Sequence, residues 1–294
     1  DLQGIVIVGD INAEEMEAKL KKVFEDVKAP VNPAERIYYP VADNQEPLIY
    51  IGTDKEVKNP SVNIFFKHEA TPDSLKNTIN YYASQYMLSM AMTMLNNRLN
   101  ELRQTANPPF TNASAGYGEF FLAKTKEAFS LDARSKVDGI DLAMKTVLEE
   151  AERARRFGFT ATEYERARAN YMQGVESAYN EREKTKSGSY VNEYVNNFLD
   201  KEPIPGIEFE YMLTNQMAPN IPLEAIEGVE EQEIDSNVLA GLPSAVIYIA
   251  APGDDLWSIG RKYHMPVKTV RELNALESDE LRPGQKVLLV KGLA

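Results

Sequence analysis

The sequence predicts an α+β fold, with a mixed or antiparallel sheet covered by helices, followed by a smaller βααβ unit. Short runs of β-branched and aromatic residues lie within the first 132 residues, and long segments with apolar residues at three- and four-residue steps follow them. Residues 246–290 then show the order strand, helix, helix, strand in short segments. A chain of 294 residues is long enough for two such domains.

The first predicted unit is one strand and one helix. Residues 4–9 form a short apolar run, and Asp10 and Asn12 are suitable N-caps for a helix over residues 13–27. Such a unit cannot bury its apolar faces alone, so we expect it either to dock on the following domain or to be the tail of a preceding one. Residues 28–47 contain four prolines and little periodicity, which is typical of an extended linker.

The middle of the chain predicts the main α+β domain. Strands are expected at 48–53 and 62–68, and two more within 111–132 that separate near Gly118. Amphipathic periodicity predicts helices at 72–104, 137–157, 161–184, 187–200 and 206–217. Residues 224–235 carry six acidic residues and no basic one, which favours a solvated linker.

These elements divide the chain into five predicted parts. They are a terminal β-α unit (1–28), a linker (29–45), an α+β domain (46–226), an acidic linker (227–242) and a small βααβ domain (243–294).

The small C-terminal domain contains two turns and two short helices. A β-branched strand at 246–250 leads into a Pro252-Gly253 turn, and Asp254 or Asp255 is expected to cap the first helix. Pro283-Gly284 forms the turn before a second strand at 286–290.

Two residues of its first helix lead to separate expectations. Trp257 could offer its flat ring to a ligand, but packing in the core is favoured. Gly260 should destabilise the helix by about 1 kcal/mol relative to alanine.

Composition argues against several classes of function. A net charge of −13 disfavours nucleic acid and anionic lipid as partners, because both need a basic face. No apolar run approaches the length of a membrane span, and the first residues show no signal-peptide pattern. The sequence has no cysteine, and its two histidines, His68 and His264, are too far apart to form a local zinc-binding pair.

Several segments of the first 226 residues carry a family resemblance. They are IVIVGDINAEEMEAKLKKVFEDV, the proline-rich linker, NNRLNELRQTANPPF (96–110) and FTATEYERARANYMQGVESAYNEREKTKSGSYVNEYV (159–195). Together they resemble the insulinase/pitrilysin family of zinc metallopeptidases. The resemblance implies paired α+β domains around a chamber that admits unfolded peptides. It makes 1–28 the last β-α unit of a catalytic domain and 46–226 the homologous domain after it.

The resemblance also bears on catalysis. The zinc motif of the family, H-x-x-E-H, does not occur in this sequence. The resemblance therefore places zinc in a catalytic domain outside this chain, implies no cofactor within it, and predicts that the chain alone does not hydrolyse peptides.

Three residues are candidates for substrate contact by resemblance. Some family members place an arginine and a tyrosine, seven residues apart, near the substrate, with a second arginine earlier in the same stretch. Here Arg98 and Arg103 match the arginines, and Phe110 stands in place of the tyrosine. Phenylalanine lacks the hydroxyl that would donate to an oxyanion, which fits a wall of the chamber better than its reacting centre. The alternative for Arg103 is a surface cation at a helix end.

Other polar residues receive structural interpretations. Glu149, Glu150 and Glu152 are expected on a solvated helix face rather than as an acid/base pair. His68 is expected at a polar sheet edge, and Tyr117 in the core or on a strand.

Two C-terminal motifs carry a second resemblance. GDDLWSIGRKY and LRPGQKVLL resemble the patterns G-D-T-L-W-x-I-A-x-x-Y and L-x-P-G-Q-x-L-x-I of the LysM module, which binds N-acetylglucosamine-containing glycans. The likeness covers residues 243–292. It implies a shallow groove between two loops, lined by Gly253, Asp254, Asp255 and Leu256 and by Ala275, Leu276, Glu277 and Ser278. Asp255 replaces the usual threonine and is expected to weaken or redirect binding.

The two resemblances together imply a function. A non-catalytic, chamber-wall segment of a bacterial metallopeptidase is joined to a module that binds peptidoglycan or chitin, and unfolded peptide is a second partner where the remaining peptidase domains are present. They suggest a periplasmic or cell-envelope location. The alternative is a structural or assembly protein that uses both parts for protein–protein contact. An active hydrolase with an unrecognised site is disfavoured by the scarcity of histidine and cysteine.

Overall fold

The computed structural model describes most of the chain. The described residues are 3–28, 31–33, 35, 37–227, 244–251, 253–263, 265–274, 276, 278–283 and 285–291. They form helices over an antiparallel sheet, followed by a small unit in the order strand, helix, helix, strand, which confirms the predicted fold class.

The α+β part contains eight described helices and one described sheet. The helices are α1 (Ala13–Val23), α2 (Asp73–Lys76), α3 (Ile79–Arg103), α4 (Ile140–Phe157), α5 (Ala161–Asn180), α6 (Ser187–Asp200), α7 (Ile207–Met217) and α8 (Leu223–Glu227). Short 3₁₀ turns occur at Arg182–Lys184 and Ala218–Asn220. The strands are β1 (Ser61–Glu69), β2 (Asn112–Phe120) and β3 (Ala123–Arg134), paired antiparallel in the order β1-β3-β2.

The core lies between one face of this sheet and the helices α3, α4 and α5. Leu131 on the central strand pairs with Ile64 on one side and with Ala115 on the other. These side chains meet a buried stripe along α3 that includes Met87 and Met94. Because the residues of a strand alternate between its faces, this register places one apolar row against the helices.

Two of the predicted strands are wrong, and one turn lies elsewhere. Residues 4–9 and 48–53 are not assigned to strands. The leucine, isoleucine and tyrosine side chains of 48–51 are all more than four-fifths exposed, so they lack the cross-strand packing that would hold a strand. Strand β2 continues through Gly118, which pairs with Ala128, and the hairpin turns at residues 121–122 instead.

Side-chain caps explain where several helices begin. The predicted helix over 72–104 is two helices, because Thr78 caps α3 by accepting a hydrogen bond from the Tyr81 backbone N–H at 3.2 Å. Thr160 and Glu163 form a capping box at the start of α5. Helices α6 and α7 match the predicted ranges to within one residue.

Helix α1 remains largely uncovered. Its predicted cap is confirmed, since the Asn12 side chain accepts from the Glu15 backbone N–H at 3.1 Å. None of its residues is buried, and Val23 is 73% exposed. The apolar face of α1 therefore does not dock on the α+β core within the described residues.

The C-terminal unit has its own sheet and cluster. Strands β4 (Ser244–Ile249) and β5 (Lys286–Lys291) pair antiparallel, and α9 (Leu256–Tyr263) and α10 (Val267–Leu273) lie between them in sequence. Its buried side chains are Ala250, Leu256, Ile259, Met265, Val270, Leu281, Val287 and Leu289. Among the helices that the structure describes, none is long and apolar enough to cross a membrane.

Candidate functional site

The first loop of the predicted groove is a tight, hydrogen-bonded turn. The Asp254 backbone N–H donates to the Ala251 carbonyl at 3.1 Å, and the Ala251 N–H donates to the Asp254 carboxylate at 2.7 Å. Gly253 between them has φ +91°, a conformation that L side chains rarely adopt. The turn therefore requires glycine at this position and holds its backbone in a defined shape.

Asp255 caps helix α9. Its carboxylate accepts from the Ser258 backbone N–H at 2.7 Å, and its own N–H donates to the Ser258 hydroxyl at 3.1 Å. These hydrogen bonds from Ser258 lower the pKa of Asp255, so the carboxylate is charged at neutral pH. Threonine, which is usual at this position in the family, is also a preferred N-cap residue. Aspartate caps the helix in the same way and adds a negative charge to the loop.

The second loop is joined directly to the first. The Leu256 N–H donates to the Asp279 carbonyl at 2.9 Å, and Asp255 and Glu280 form an isolated antiparallel bridge. Arg271 holds Asp279 from the other side, with its Nη2 2.6 Å from a carboxylate oxygen. The two predicted walls are therefore fixed relative to each other.

The remaining predicted glycan residues lie along this second loop. Leu276 is half-buried, and its N–H donates to the Arg271 carbonyl at 3.0 Å. Ser278 is exposed, and its hydroxyl accepts from the Glu280 N–H at 3.1 Å. Ala275 and Glu277 lie outside the described residues. Glycan contact by these eight residues stays a prediction.

The expectation that Trp257 packs in the core is wrong. Its side chain is 61% exposed, whereas Leu256, Ile259 and Gly260 are buried. Successive helical residues are rotated by about 100°, so a face formed by 256, 259 and 260 turns 257 and 261 outward. The guanidinium of Arg261 lies 5.5 Å from the centroid of the Trp257 ring.

Gly260 is in the helix for a packing reason. A Cβ at this position would lie 2.7 Å from the Met265 carbonyl oxygen, closer than real Cβ atoms come. The Met265 N–H also donates to the Gly260 carbonyl at 2.8 Å, so this chain segment passes directly over the glycine. The expected gain from alanine is overturned, because helix propensity is outweighed by this close backbone approach.

A second candidate site is a polar cavity of about 540 Å³ in the α+β part. It opens between the start of α3, the β2–β3 hairpin and the end of α6. Its charged lining residues are Lys76, Lys124 and Lys126 and the carboxylates Glu69, Asp73, Glu119, Glu127, Asp200 and Glu202. Carboxylates therefore outnumber lysines by two to one.

Tyrosine hydroxyls organise the acidic side of this cavity. Tyr117 donates to a Glu127 oxygen at 3.1 Å, and Tyr81 donates to both oxygens of Glu202 at 3.0 Å. Burial raises the pKa of Tyr117, and Glu127 raises it further. Burial and Glu202 raise the pKa of Tyr81 in the same way. Both phenols stay protonated at neutral pH, so they serve as donors and not as bases.

The lysines of the cavity are held by carboxylates and by backbone. Lys76 donates to the Asp200 carbonyl at 2.6 Å, and Lys124 contacts Glu119 at 2.6 Å as well as the Asp200 carboxylate. Such cross-linked charges define a polar wall whose excess charge is negative. The arrangement suits binding of groups that donate hydrogen bonds.

No sequence signal pointed to this cavity, because its lining is drawn from residues between 38 and 202. His68 lies beside it on the edge strand β1, as expected, and its ring stacks on Tyr117 with centroids 5.1 Å apart. Tyr117 is on a strand, as expected.

Arg98 and Phe110 are parts of the core. The Arg98 guanidinium donates to Glu163 from Nε at 2.6 Å and from Nη2 at 2.9 Å, and it lies 4.6 Å from the Phe159 ring centroid. Phe110 is 2% exposed. Arg103 is exposed and donates to the Asn100 side chain at 2.7 Å. Substrate contact by these three residues stays a prediction.

The expectation that Glu150 is solvated is wrong. It is 7% exposed, with a carboxylate oxygen 3.6 Å from Arg98 and 2.6 Å from Arg153. Helix α4 turns this residue toward α3, whereas Glu149 and Glu152 remain on the outer face. Its charge is compensated by arginines, which is the usual condition for a buried carboxylate.

The side chains of the described residues are not arranged to bind zinc, which the resemblance places in a separate catalytic domain. Among them, no group of three or more His, Cys, Asp or Glu side chains could hold a metal ion. His68 is the one histidine in the described ranges, and its Nδ1 lies 2.9 Å from the Glu69 carbonyl oxygen.

Comparison with known protein families assigns both parts. Residues 4–171, more than half of the chain, match the family model described as the peptidase M16 inactive domain. The chain belongs to the M16 peptidase family. Residues 248–289 match the LysM domain model. Both resemblances of the sequence, to the insulinase-type peptidases and to LysM, are thereby confirmed.

Relatives extend the likeness of the M16 part. A protein of Arabidopsis thaliana described as zinc protease PQQL-like is 27% identical over 229 residues, 78% of this chain and 20% of that protein. The first half of the periplasmic protease PqqL from Escherichia coli superposes with a TM-score of 0.63 at 18% identity, covering 78% of this chain and 48% of that one.

A second solved structure, described as a predicted insulinase family protease from Yersinia pestis, has a TM-score of 0.60 at 12% identity, covering 79% of this chain and 48% of that one. At these identities the structural matches show the fold alone. The chain spans between a fifth and about half of the length of these relatives.

Proposed function

We propose that this chain is the non-catalytic, substrate-contacting part of an M16-type zinc protease, and that its LysM module holds that protease near a glycan wall. The single observation that carries the proposal is the presence of an M16 inactive domain and a LysM domain in one chain. The zinc and the chemistry belong, on this proposal, to a separate catalytic domain of the assembled protease.

The cavity of the M16 part supports peptide contact. An unfolded peptide presents unpaired backbone N–H groups, and a lysine- or arginine-containing peptide adds cationic side chains. A lining with twice as many carboxylates as lysines offers acceptors for both. The protonated phenols of Tyr81 and Tyr117 hold two of these carboxylates in place. We assign this surface a role in binding and not in bond cleavage.

The paired loops of the module support glycan contact. Hydrogen bonds between the loops hold the groove before any ligand arrives, so little conformational entropy is lost on binding. Short loops beside a half-buried leucine suit an N-acetyl group, which needs an apolar contact next to polar groups. One shallow groove predicts weak binding.

The proposed ligand bears on location. Peptidoglycan lies outside the bacterial cytoplasmic membrane, so a module that binds it would act in the periplasm or cell envelope. The relative from Escherichia coli is described as a periplasmic protease, which agrees with this placement.

Sedimentation with insoluble glycan tests the proposal. The full chain and a 1–240 truncation are mixed with purified peptidoglycan and, separately, with chitin, and the pelleted fraction is measured. We expect the full chain to pellet with one or both polymers and the truncation to remain in solution. Circular dichroism of the truncation checks that the M16 part is still folded.

Two results would count against tethering. If the full chain and the truncation both stay in solution, the module is an assembly element, as in the alternative of a structural protein. If both pellet equally, glycan retention belongs to the M16 part.

A further inference from the structure

We infer that Trp257 and Arg261 form a second glycan contact on the outer face of α9, and that this contact recognises a glycan that bears a carboxylate. The inference rests on the proposed function and names the class of glycan that the module prefers. The expected ligand is peptidoglycan, whose strands carry carboxylates beside N-acetylated sugars, and not neutral chitin.

The first observation is the exposure of an aromatic ring on a small folded unit. Trp257 is 61% exposed although the module buries eight apolar side chains elsewhere. An exposed indole presents a large, flat apolar surface with a polar N–H at its edge, which suits it to binding. A flat ring of this kind stacks on the C–H face of a sugar.

The second observation is the state of Arg261. Its guanidinium lies over the indole, 5.5 Å from the ring centroid. Within the described residues of the module, Arg271 forms an ion pair with Asp279, whereas no carboxylate lies within ion-pair distance of Arg261. A guanidinium placed by a ring and not neutralised by a carboxylate is ready to donate two parallel hydrogen bonds to one.

The third observation is the position of this pair. Trp257 directly follows Leu256, which donates a hydrogen bond to the second loop of the groove. Arg261 follows one helical turn later, about 6 Å along the axis. A glycan strand lying in the groove therefore continues over the indole and reaches the guanidinium.

The charge distribution favours an anionic ligand at this module. Residues 243–294 carry seven basic and six acidic residues, whereas the other 242 residues carry 25 basic and 39 acidic ones. The M16 part is thus repelled by an anionic wall, and attraction has to come from the module. Arg261 and Lys262, in the last turn of α9, supply two of the module's positive charges, which attract such a wall.

Fluorescence of the full chain tests this inference, because Trp257 is the single tryptophan of the protein. Three ligands are titrated: a disaccharide-peptide muropeptide, the same disaccharide without its peptide, and neutral chitotetraose. The variants are Arg261→Gln, which removes the cation over the ring, and Arg282→Gln, which removes an exposed cation at the turn before β5.

We expect all three ligands to change the fluorescence, with the two carboxylate-bearing ligands binding more tightly than chitotetraose. Arg261→Gln should weaken the carboxylate-bearing ligands about three- to five-fold, the range of an exposed ion pair, and leave chitotetraose unchanged. Arg282→Gln should alter none of them beyond the general effect of one charge. The sugar's own carboxyl is bound as an amide in the muropeptide and free only in the peptide-free disaccharide. Loss for that disaccharide alone would identify the sugar's carboxylate as the source, loss for the muropeptide alone would identify the peptide carboxylates, and loss for both would show that Arg261 accepts either.

The inference is overturned if Arg261→Gln weakens chitotetraose as much as the muropeptide, or weakens neither. It is also overturned if glycan binds, as judged by sedimentation, without any change at Trp257. A different result, in which no glycan binds by either method, removes the proposed function itself. The two failures are therefore distinguishable.

Discussion

Arg98 and Arg261 each lie over an aromatic ring, and their surroundings give them opposite roles. Arg98, in the M16 part, lies 4.6 Å from the Phe159 ring centroid, and its side chain is 11% exposed. Arg261, in the LysM module, lies 5.5 Å from that of Trp257, whose side chain is 61% exposed. The buried guanidinium is satisfied by carboxylates of its own chain, and the exposed one is not paired in this way within the described residues.

The comparison shows that the role of an arginine–aromatic pair depends on whether the surrounding fold buries it. A guanidinium removed from water must have its charge compensated, so α4 and α5 supply Glu150 and Glu163. A guanidinium at the surface keeps its hydration and can exchange water for a ligand. The following predictions test this contrast, from the largest expected effect to the smallest.

Removing the buried cation should have the largest effect. Arg98→Ala leaves the buried Glu150 and the half-buried Glu163 without their shared partner, so we expect a loss of about 3–5 kcal/mol in the free energy of unfolding. Urea denaturation followed by circular dichroism measures it. Arg103→Ala, on an exposed residue at the end of the same helix, is the control and should cost less than about 0.5 kcal/mol. Equal effects of the two variants would refute the interior role of Arg98.

The partner of Arg98 should make stability depend on pH. Hydrogen bonding to Arg98, with further hydrogen bonds from Thr160, lowers the pKa of Glu163 to about 2 from an ordinary 4.5. A carboxylate whose pKa is lowered on folding stabilises the protein above its unfolded pKa, and this contribution is lost as pH falls from about 4.5 to 2.

The variant Glu163→Gln isolates this contribution. It should be less stable than the wild type at pH 7 by about 2 kcal/mol. The difference should shrink as pH is lowered through this window, as measured by urea denaturation at a series of pH values. A difference that stays constant between pH 7 and pH 2 would contradict the ion pair.

Two helical glycines, one closely packed and one exposed, show the same contrast between a buried and an open position. Gly260→Ala in α9 should destabilise the module by about 1–3 kcal/mol, because its Cβ would meet the Met265 carbonyl. Gly174→Ala in α5 should stabilise the M16 part by about 0.5–1 kcal/mol, because nothing lies within 4 Å of the added carbon. Thermal unfolding of each variant, read from the signal of its own part, measures both. Two stabilising substitutions would show that Met265 does not pass over α9 as described.

Removing the exposed cation should have the smallest effect on stability. Arg261→Gln is expected to change the free energy of unfolding by less than about 0.5 kcal/mol, while changing glycan binding as described above. Acrylamide quenching of the single tryptophan should remain efficient in this variant, because the ring is exposed with or without its cation. Weak quenching in the wild type would place Trp257 in the core after all.

Much of the fold could be predicted from the sequence. Periodicity placed α6 and α7 to within one residue, and caps such as Asn12 marked helix starts, because both signals depend on near neighbours in the chain. The strand predicted at 48–53 failed because a strand needs a partner as well as a β-forming composition. The βααβ order of the module was visible for the same local reason as the helices.

The candidate sites were predicted unevenly. The groove loops 253–256 and 275–278 were predicted from the LysM resemblance. In the structure, Asp255 and Leu256 of the first loop are hydrogen-bonded to residues 279–280, which directly follow the second loop. The acidic cavity was not foreseen, because its lining comes from segments far apart in sequence. Glu150 was placed on the surface because a helix pattern does not say what packs against it.

The sequence by itself determined the family of each part, most of the helices and the absence of an H-x-x-E-H motif, since these depend on residue identity and on spacing within one or two turns. Only the tertiary structure decided that Arg98 and Glu150 are interior charges, that Gly260 gives room to the Met265 carbonyl, and that Trp257 faces water. The physical reason is that burial depends on residues brought together by folding. The same type of contact, an arginine over an aromatic ring, therefore stabilises the interior in one part of this protein and is open to solvent in the other.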